Sequence, residues 1–225
     1  ALATREAPSP LATSPGLEGM DPSDMTIPRL SIVQPTSAAP IEAGAKPGTF
    51  WDNMIGAGFE RIEMVLIDIR KGRVMFEDGG VACKSFDNVE PAPFIEMPPA
   101  QLCKDCPESR WVDRRPPRCQ LQYNLLGYRP SDEMPFAITL KGTSLKPVKG
   151  LITMLKMRRL APWQLQTTMS LVKQTNNKGT FYVVNFGGTG AVDPLDQYAE
   201  LAAGLLGAAG GQAKNNEPDD SDIPF

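Results

Sequence analysis

Apolar and polar positions alternate with a period of two along several stretches of the chain, and that spacing predicts strands. In RIEMVLIDIR (61–70), Ile62, Met64 and Leu66 fall on one face with Asp68 after them, while Val65, Ile67 and Ile69 fall on the other. RVMFE (73–77) continues this strand past a kink at Lys71-Gly72. QLQYNLLGY (120–128) and PFAITLKG (135–142) predict the second and third strands. WQLQTTMSLVKQ (163–174) and TFYVVNFGG (180–188) predict the fourth and fifth, joined by T-N-N-K-G, a hairpin signal. IPRLSIVQP (27–35) and GTFWDNMI (48–55) are shorter extended candidates ahead of them.

Between the third and fourth strands the period changes. Leu145, Val148, Ile152 and Leu155 recur at helical spacing, with Thr143 or Ser144 as the N-cap and a basic opposite side. A second helix is predicted from Asp193, with Asp193 as N-cap, Pro194 in the first turn and glycines closing it. Three strands, a helix and a closing hairpin fit a mainly β chain built on a five-stranded OB-fold barrel. The expected organisation is a disordered segment over 1–26 and an OB-fold domain over 27–192 with an irregular insertion at 79–119 between strands 1 and 2. A C-terminal helix over 193–209 and a disordered acidic tail over 210–225 complete it. The insertion and the T-N-N-K-G turn are the two loops that flank the ligand face of such a barrel.

Charge sharpens this picture. The 225 residues carry a net charge of −3, yet Met134–Val192 holds no Asp or Glu against eight Lys and Arg. Beyond Val192, seven acids face the single Lys214. A polyanion-binding body followed by an anionic tail accounts for that split, a solvated lysine face being the plainer alternative. Histidine is absent, which removes the commonest general base and metal ligand. No apolar run is long enough to span a membrane, and the Pro/Ser/Ala-rich first residues do not resemble a secretory signal. A cytoplasmic protein is expected.

All four cysteines, Cys83, Cys103, Cys106 and Cys119, sit in or beside the insertion. LCKDCP makes a C-x-x-C knuckle, whose turn points both thiolates to one side, and Cys83 and Cys119 can complete a tetrahedral site from the feet of the loop. A structural zinc ion is therefore expected, with four free thiols or two disulfides as alternatives. A site of four thiolates leaves no open coordination position, so the metal implies a scaffold and not a catalyst.

Between the last two cysteines the chain reads PESRWVDRRPPR, placing Arg110, Arg114, Arg115 and Arg118 around Trp111. Arginine neutralises phosphates and an indole can receive an unpaired base. Further candidates for contact with single-stranded DNA are Tyr123, Lys141, Lys146, Trp163, Lys173, Lys178 and Phe181. For Trp111 packing over the metal centre is the competing role, and for Tyr123, Trp163 and Phe181 packing inside the barrel. No phosphate-binding loop and no acid cluster of a two-metal nuclease is present, and no enzyme activity is expected.

The sequence ends D-D-S-D-I-P-F. This run resembles the acidic tip of bacterial single-stranded-DNA-binding proteins. The resemblance implies that Phe225 and Ile223 fill an apolar pocket on a replication, recombination or repair protein. Pro224 would stiffen the segment, and Asp219, Asp220 and Asp222 would meet a basic rim. The body, through IPRLSIVQP and the C…C-x-x-C-P…W…C arrangement, looks more like phage-encoded DNA-binding proteins with a zinc-bearing insertion in an OB-fold. The expected function is coating of unpaired DNA and delivery of partners to it. The rivals are a zinc-ribbon accessory factor that binds duplex DNA or RNA polymerase, and a DNA-annealing or nuclease enzyme.

Overall fold

The structure, a computed structural model, describes Asp24 and residues 26–94, 102–177 and 179–215. It is mainly β. In chain order the elements are β1 (Arg29–Ile32), α1 (Ala38–Glu42), β2 (Phe50–Asp52), β3 (Ala57–Phe59), β4 (Arg61–Glu77), β5 (Gly80–Ser85), β6 (Ala92–Pro93), β7 (Gln120–Arg129), β8 (Met134–Lys141), α2 (Leu145–Arg158), β9 (Leu165–Asn176), β10 (Gly179–Ala191) and α3 (Ala199–Asn215).

The five strands read from alternation are present as β4, β7, β8, β9 and β10, with α2 between β8 and β9. They do not form a closed five-stranded barrel. They belong to one open ten-stranded sheet, ordered β10-β9-β4-β7-β8-β1-β2-β3, with β5 added to β4 and β6 to β5. The sheet is mixed: β1 runs parallel to β8, pairing Arg29 with Ala137 and Leu30 with Ile138, and the other ladders are antiparallel. β1 takes the edge of β8 that a closed barrel would give to β10. Side chains link across the remaining gap. The Gln34 amide donates to the Tyr182 carbonyl at 2.9 Å and accepts from the Tyr182 N–H at 2.8 Å. The Val184 N–H donates to Ser144 Oγ at 3.3 Å.

β4 is one strand of 17 residues with no break at Lys71-Gly72. Gly72 serves a close approach instead, since a Cβ there would stand 2.6 Å from the Ser85 carbonyl oxygen. The irregularity lies earlier, between Leu66 and Asp68 in the ladder with β7. A bulge adds one residue and reverses which side chains share a face. Ile62, Met64 and Leu66 therefore join the main core together with Ile69, whereas Val65 and Ile67 enter a second core. Asp68 is thereby freed to face outward.

The main core lies inside the curl of the sheet. Phe136, Ile138 and Leu140 of β8 meet Leu125 of β7, Leu165 and Met169 of β9 and Val148, Leu151 and Leu155 of α2. The second core packs Val65, Ile67, Leu126 and Tyr128 against Leu201, Ala202 and Leu205 of α3. That helix begins at Ala199, so Asp193 and Pro194 lie in the preceding turn and do not cap it. β1, β2 and β3 are clamped on by a buried ion pair, Arg129 to Asp52 at 3.3 Å, with side chains 3% and 0% exposed. Arg129 also pairs with Asp132 and lies 4.7 Å from the centre of the Phe59 ring. No helix among the described residues is long and apolar enough to cross a membrane.

Candidate nucleic-acid interface

Strand alternation decides what the outer face of β7 and β8 offers. Tyr123 and Leu125 turn into the core, so Gln122 and Asn124 turn outward, and likewise Ala137, Thr139 and Lys141 oppose Phe136, Ile138 and Leu140. These outward residues floor a cleft of about 970 Å³. β4 contributes Asp68, Arg70, Val74 and Phe76, and β5 and the residue after it contribute Lys84 and Phe86. Arg29, Ser31 and Trp51 come from the β1–β2 side, and Phe181 and Tyr182 from β10. Four cations and five aromatic rings thus border one groove.

Among the described residues lining this cleft, Asp68 is the single carboxylate, and Arg70 Nε holds it at 2.7 Å. Lys84 Nζ lies 4.9 Å from the centre of the Phe86 ring, and Lys141 Nζ lies 5.9 Å from that of Phe76. A cation beside an aromatic face can serve a phosphate and a base at neighbouring points of one strand.

The cysteines occupy the opposite face of β4 and β5. On β4, Val74 and Phe76 face the cleft and Met75 faces Cys83 and Cys119, with which it forms a small buried cluster. On β5, Cys83 points into that cluster and Lys84 into the cleft. The insertion is not wholly irregular: β5 and β6 pair through Cys83 and Pro93. The knuckle is a tight turn in which the Asp105 and Cys106 N–H groups donate to the Leu102 carbonyl at 3.0 and 3.2 Å. Arg73 ties the pieces together, donating to Asn88 Oδ1 at 2.7 Å and to the Cys119 carbonyl at 3.1 Å.

All four thiols are buried and none is in a disulfide. Burial raises the Cys83 pKa, and the neighbouring Cys103 and Cys106 raise it further. Burial likewise pushes the Cys119 thiol up to about 11, Arg73 opposing and the other three cysteines adding to the rise. Cys83 and Cys119 thus stand near the other thiols of the set. Among the described residues, however, no group of three or more Cys, Asp or Glu stands in an arrangement that could hold a metal ion. The soft, unpaired donor set suits zinc, and the spacing is not that of a formed site.

The profile of the Pam3 phage gp34-like protein family matches residues 6–93 and 108–214. The chain belongs to that family. No curated protein and no solved structure matches it. The matched segments of this gp34-like chain include Cys83 and Cys119 but leave out Cys103, Cys106 and the acidic tail, so membership says nothing about the knuckle or the tail.

The structure distributes the expected contact residues of the gp34-like chain unevenly. Lys141 and Phe181 line the cleft. Tyr123 is 7% exposed in the main core, so its ring is not presented for stacking, and Trp163, partly buried, packs on the second core. Lys146 and Lys173 are exposed but outside the cleft lining. Arg110, Trp111, Arg114, Arg115 and Arg118 are exposed on the cysteine insertion, also outside it. Trp111 therefore does not pack over the cysteines, being 69% exposed. Arg118 is engaged by Glu77 at 2.6 Å and Glu108 at 3.6 Å. Lys178, Asp219, Asp220, Asp222, Ile223, Pro224 and Phe225 lie outside the described residues.

Sequence reasoning missed Arg29, Trp51, Arg70, Phe76, Lys84 and Phe86, which come to the cleft from four separate segments. For Phe76 and Phe86 a signal existed. V-M-F sets Phe76 opposite Met75, and K-S-F sets Phe86 on the side of Lys84, away from Cys83.

Proposed function

We propose that this protein binds single-stranded DNA in the cleft over β4, β7 and β8, without strong sequence preference. The observation that carries the reading is the lining itself: Arg29, Arg70, Lys84 and Lys141 interleaved with Trp51, Phe76, Phe86 and Phe181. Tolerance of sequence requires only a cation for the phosphates and a ring for the bases, since every base has a flat face. Duplex DNA hides those faces, so the aromatic half of the lining would gain nothing from it.

The reading of the body as an opened OB-fold is supported by the neighbour order β10-β9-β4-β7-β8 and the helix between β8 and β9. It is supported too by the position of the cleft, which lies on the second and third strands of that set, between the cysteine insertion and the β9–β10 hairpin. Cys83, Cys103, Cys106 and Cys119 are proposed to hold a structural zinc ion after drawing closer together. The ion would fix the insertion that supplies Lys84 and Phe86. D-D-S-D-I-P-F is proposed to recruit replication, recombination or repair proteins to the coated strand.

Competition binding tests this reading. A labelled oligo(dT) should be displaced by unlabelled single strands of any sequence and poorly by duplex of equal length, across a salt series. Equal displacement by duplex would favour the accessory-factor reading, and metal-dependent cleavage of the probe would favour the nuclease.

A further inference from the structure

Trp111 and Val112 are 69% and 56% exposed, an unusual cost for two adjacent apolar side chains on a polar surface. Val112 opens a tight turn, and Trp111 stands directly before it. The Val112 N–H donates to the Arg115 carbonyl at 3.3 Å and the Arg115 N–H returns to the Val112 carbonyl at 2.8 Å. The two central residues, Asp113 and Arg114, both take positive φ, 48° and 63°. Such a turn fixes the backbone that directly follows Trp111. Its base is anchored by Arg110, which donates to the Lys104 carbonyl at 2.8 Å. Arg114 and Arg115 are exposed and have no ion pair among the described residues.

Arg114 and Arg115, close in sequence to an exposed ring, match a polyanion that carries flat apolar groups, which is the chemistry of an unpaired nucleotide run, whereas Arg110 is shared with Asp105 at 3.8 Å. Position favours the same occupant. Arg118, on the same segment, pairs with Glu77, and the residue before Glu77 on β4 is Phe76 of the cleft.

We propose that the 110–115 turn is a second, separate contact for single-stranded DNA. Trp111 stacks on a base beyond the end of the cleft, and Arg114 and Arg115 neutralise the adjoining phosphates. This rests on the single-strand reading of the cleft and lengthens the track by an element that the cleft does not contain.

The test is a ladder of oligo(dT) lengths titrated against the wild type, Trp111→Ala, Trp111→Phe and Lys141→Gln. On the shortest oligonucleotides that bind, Trp111→Ala should match the wild type. On longer ones it should lose about 5-fold or more in affinity, with Trp111→Phe recovering most of the loss. Lys141→Gln should weaken binding at every length. Because Trp111 is exposed, unfolding curves of the variants should superimpose on the wild type. Equal affinity of wild type and Trp111→Ala at all lengths would overturn the second contact and leave the cleft standing. Failure of the wild type to bind any oligo(dT) would remove both readings.

Discussion

Lys141 is the expected cationic contact that the structure places in the cleft, exposed and 5.9 Å from the centre of the Phe76 ring. Replacing it with glutamine removes one charge while keeping a polar chain of similar reach. For single strands, log K falls with log salt at a slope of about −0.7 for each phosphate neutralised. The four cations of the cleft set a ceiling near −2.8 for the groove itself, and one cation is worth about 0.7. Between 50 and 500 mM salt, Lys141→Gln should therefore lose about 5-fold less affinity than the wild type does, while starting weaker at low salt. Fluorescence anisotropy of a labelled oligo(dT) at five or more salt concentrations measures both slopes. A slope that does not change on substitution would mean that Lys141 touches no phosphate and that the strand runs elsewhere. A steeper slope would contradict the electrostatic reasoning outright.

Arg129→Met should cost about 3–5 kcal/mol in denaturant unfolding, because Asp52, 0% exposed, loses its buried partner. Arg129→Met with Asp52→Leu should recover part of that loss, and a cost below about 1 kcal/mol for the single change would refute the clamp. Chelation or Cys103→Ser should open residues 83–119 to proteolysis and weaken oligo(dT) binding, since Lys84 and Phe86 lie one and three residues after Cys83; zinc-free purified protein with full affinity would contradict this. Zinc uptake should release protons and weaken as pH falls, because burial holds the Cys83 and Cys119 thiols in their neutral form at pH 7. Deleting Ile223–Phe225 should abolish capture of partner proteins and leave DNA affinity equal or higher, and a marked drop in affinity would contradict the hook.

The sequence made the strands legible wherever one face is buried and the other wet. QLQYNLL shows the alternation: Gln122 and Asn124 face the cleft while Tyr123 and Leu125 enter the core, so Tyr123 takes the packing role that competed with base contact. Alternation could not show the bulge at Leu66–Asp68, because one extra residue changes no composition and only reverses parity. Nor could it show that β1 would claim the edge of β8, since that pairing joins residues more than a hundred positions apart. β5 was lost inside the insertion because its six residues carry a cysteine, a lysine and a serine, which suggested a metal loop before they suggested a strand. The cleft was legible only in part for the same reason. Lys141 and Phe181 lie on long, regular strands, whereas Arg29, Trp51, Lys84 and Phe86 come from short segments whose meeting depends on tertiary pairing.

Trp51 lines the cleft, so its emission reports directly on whatever enters there. Titration of the Trp111→Ala protein with poly(dT) at low ionic strength, with and without residues 217–225, addresses the central claim most directly. If the cleft receives unpaired strands, emission should be quenched to a stoichiometric end point and should recover as salt is added, with the shortened chain binding at least as tightly. Unchanged emission and no measurable association in both forms would contradict it.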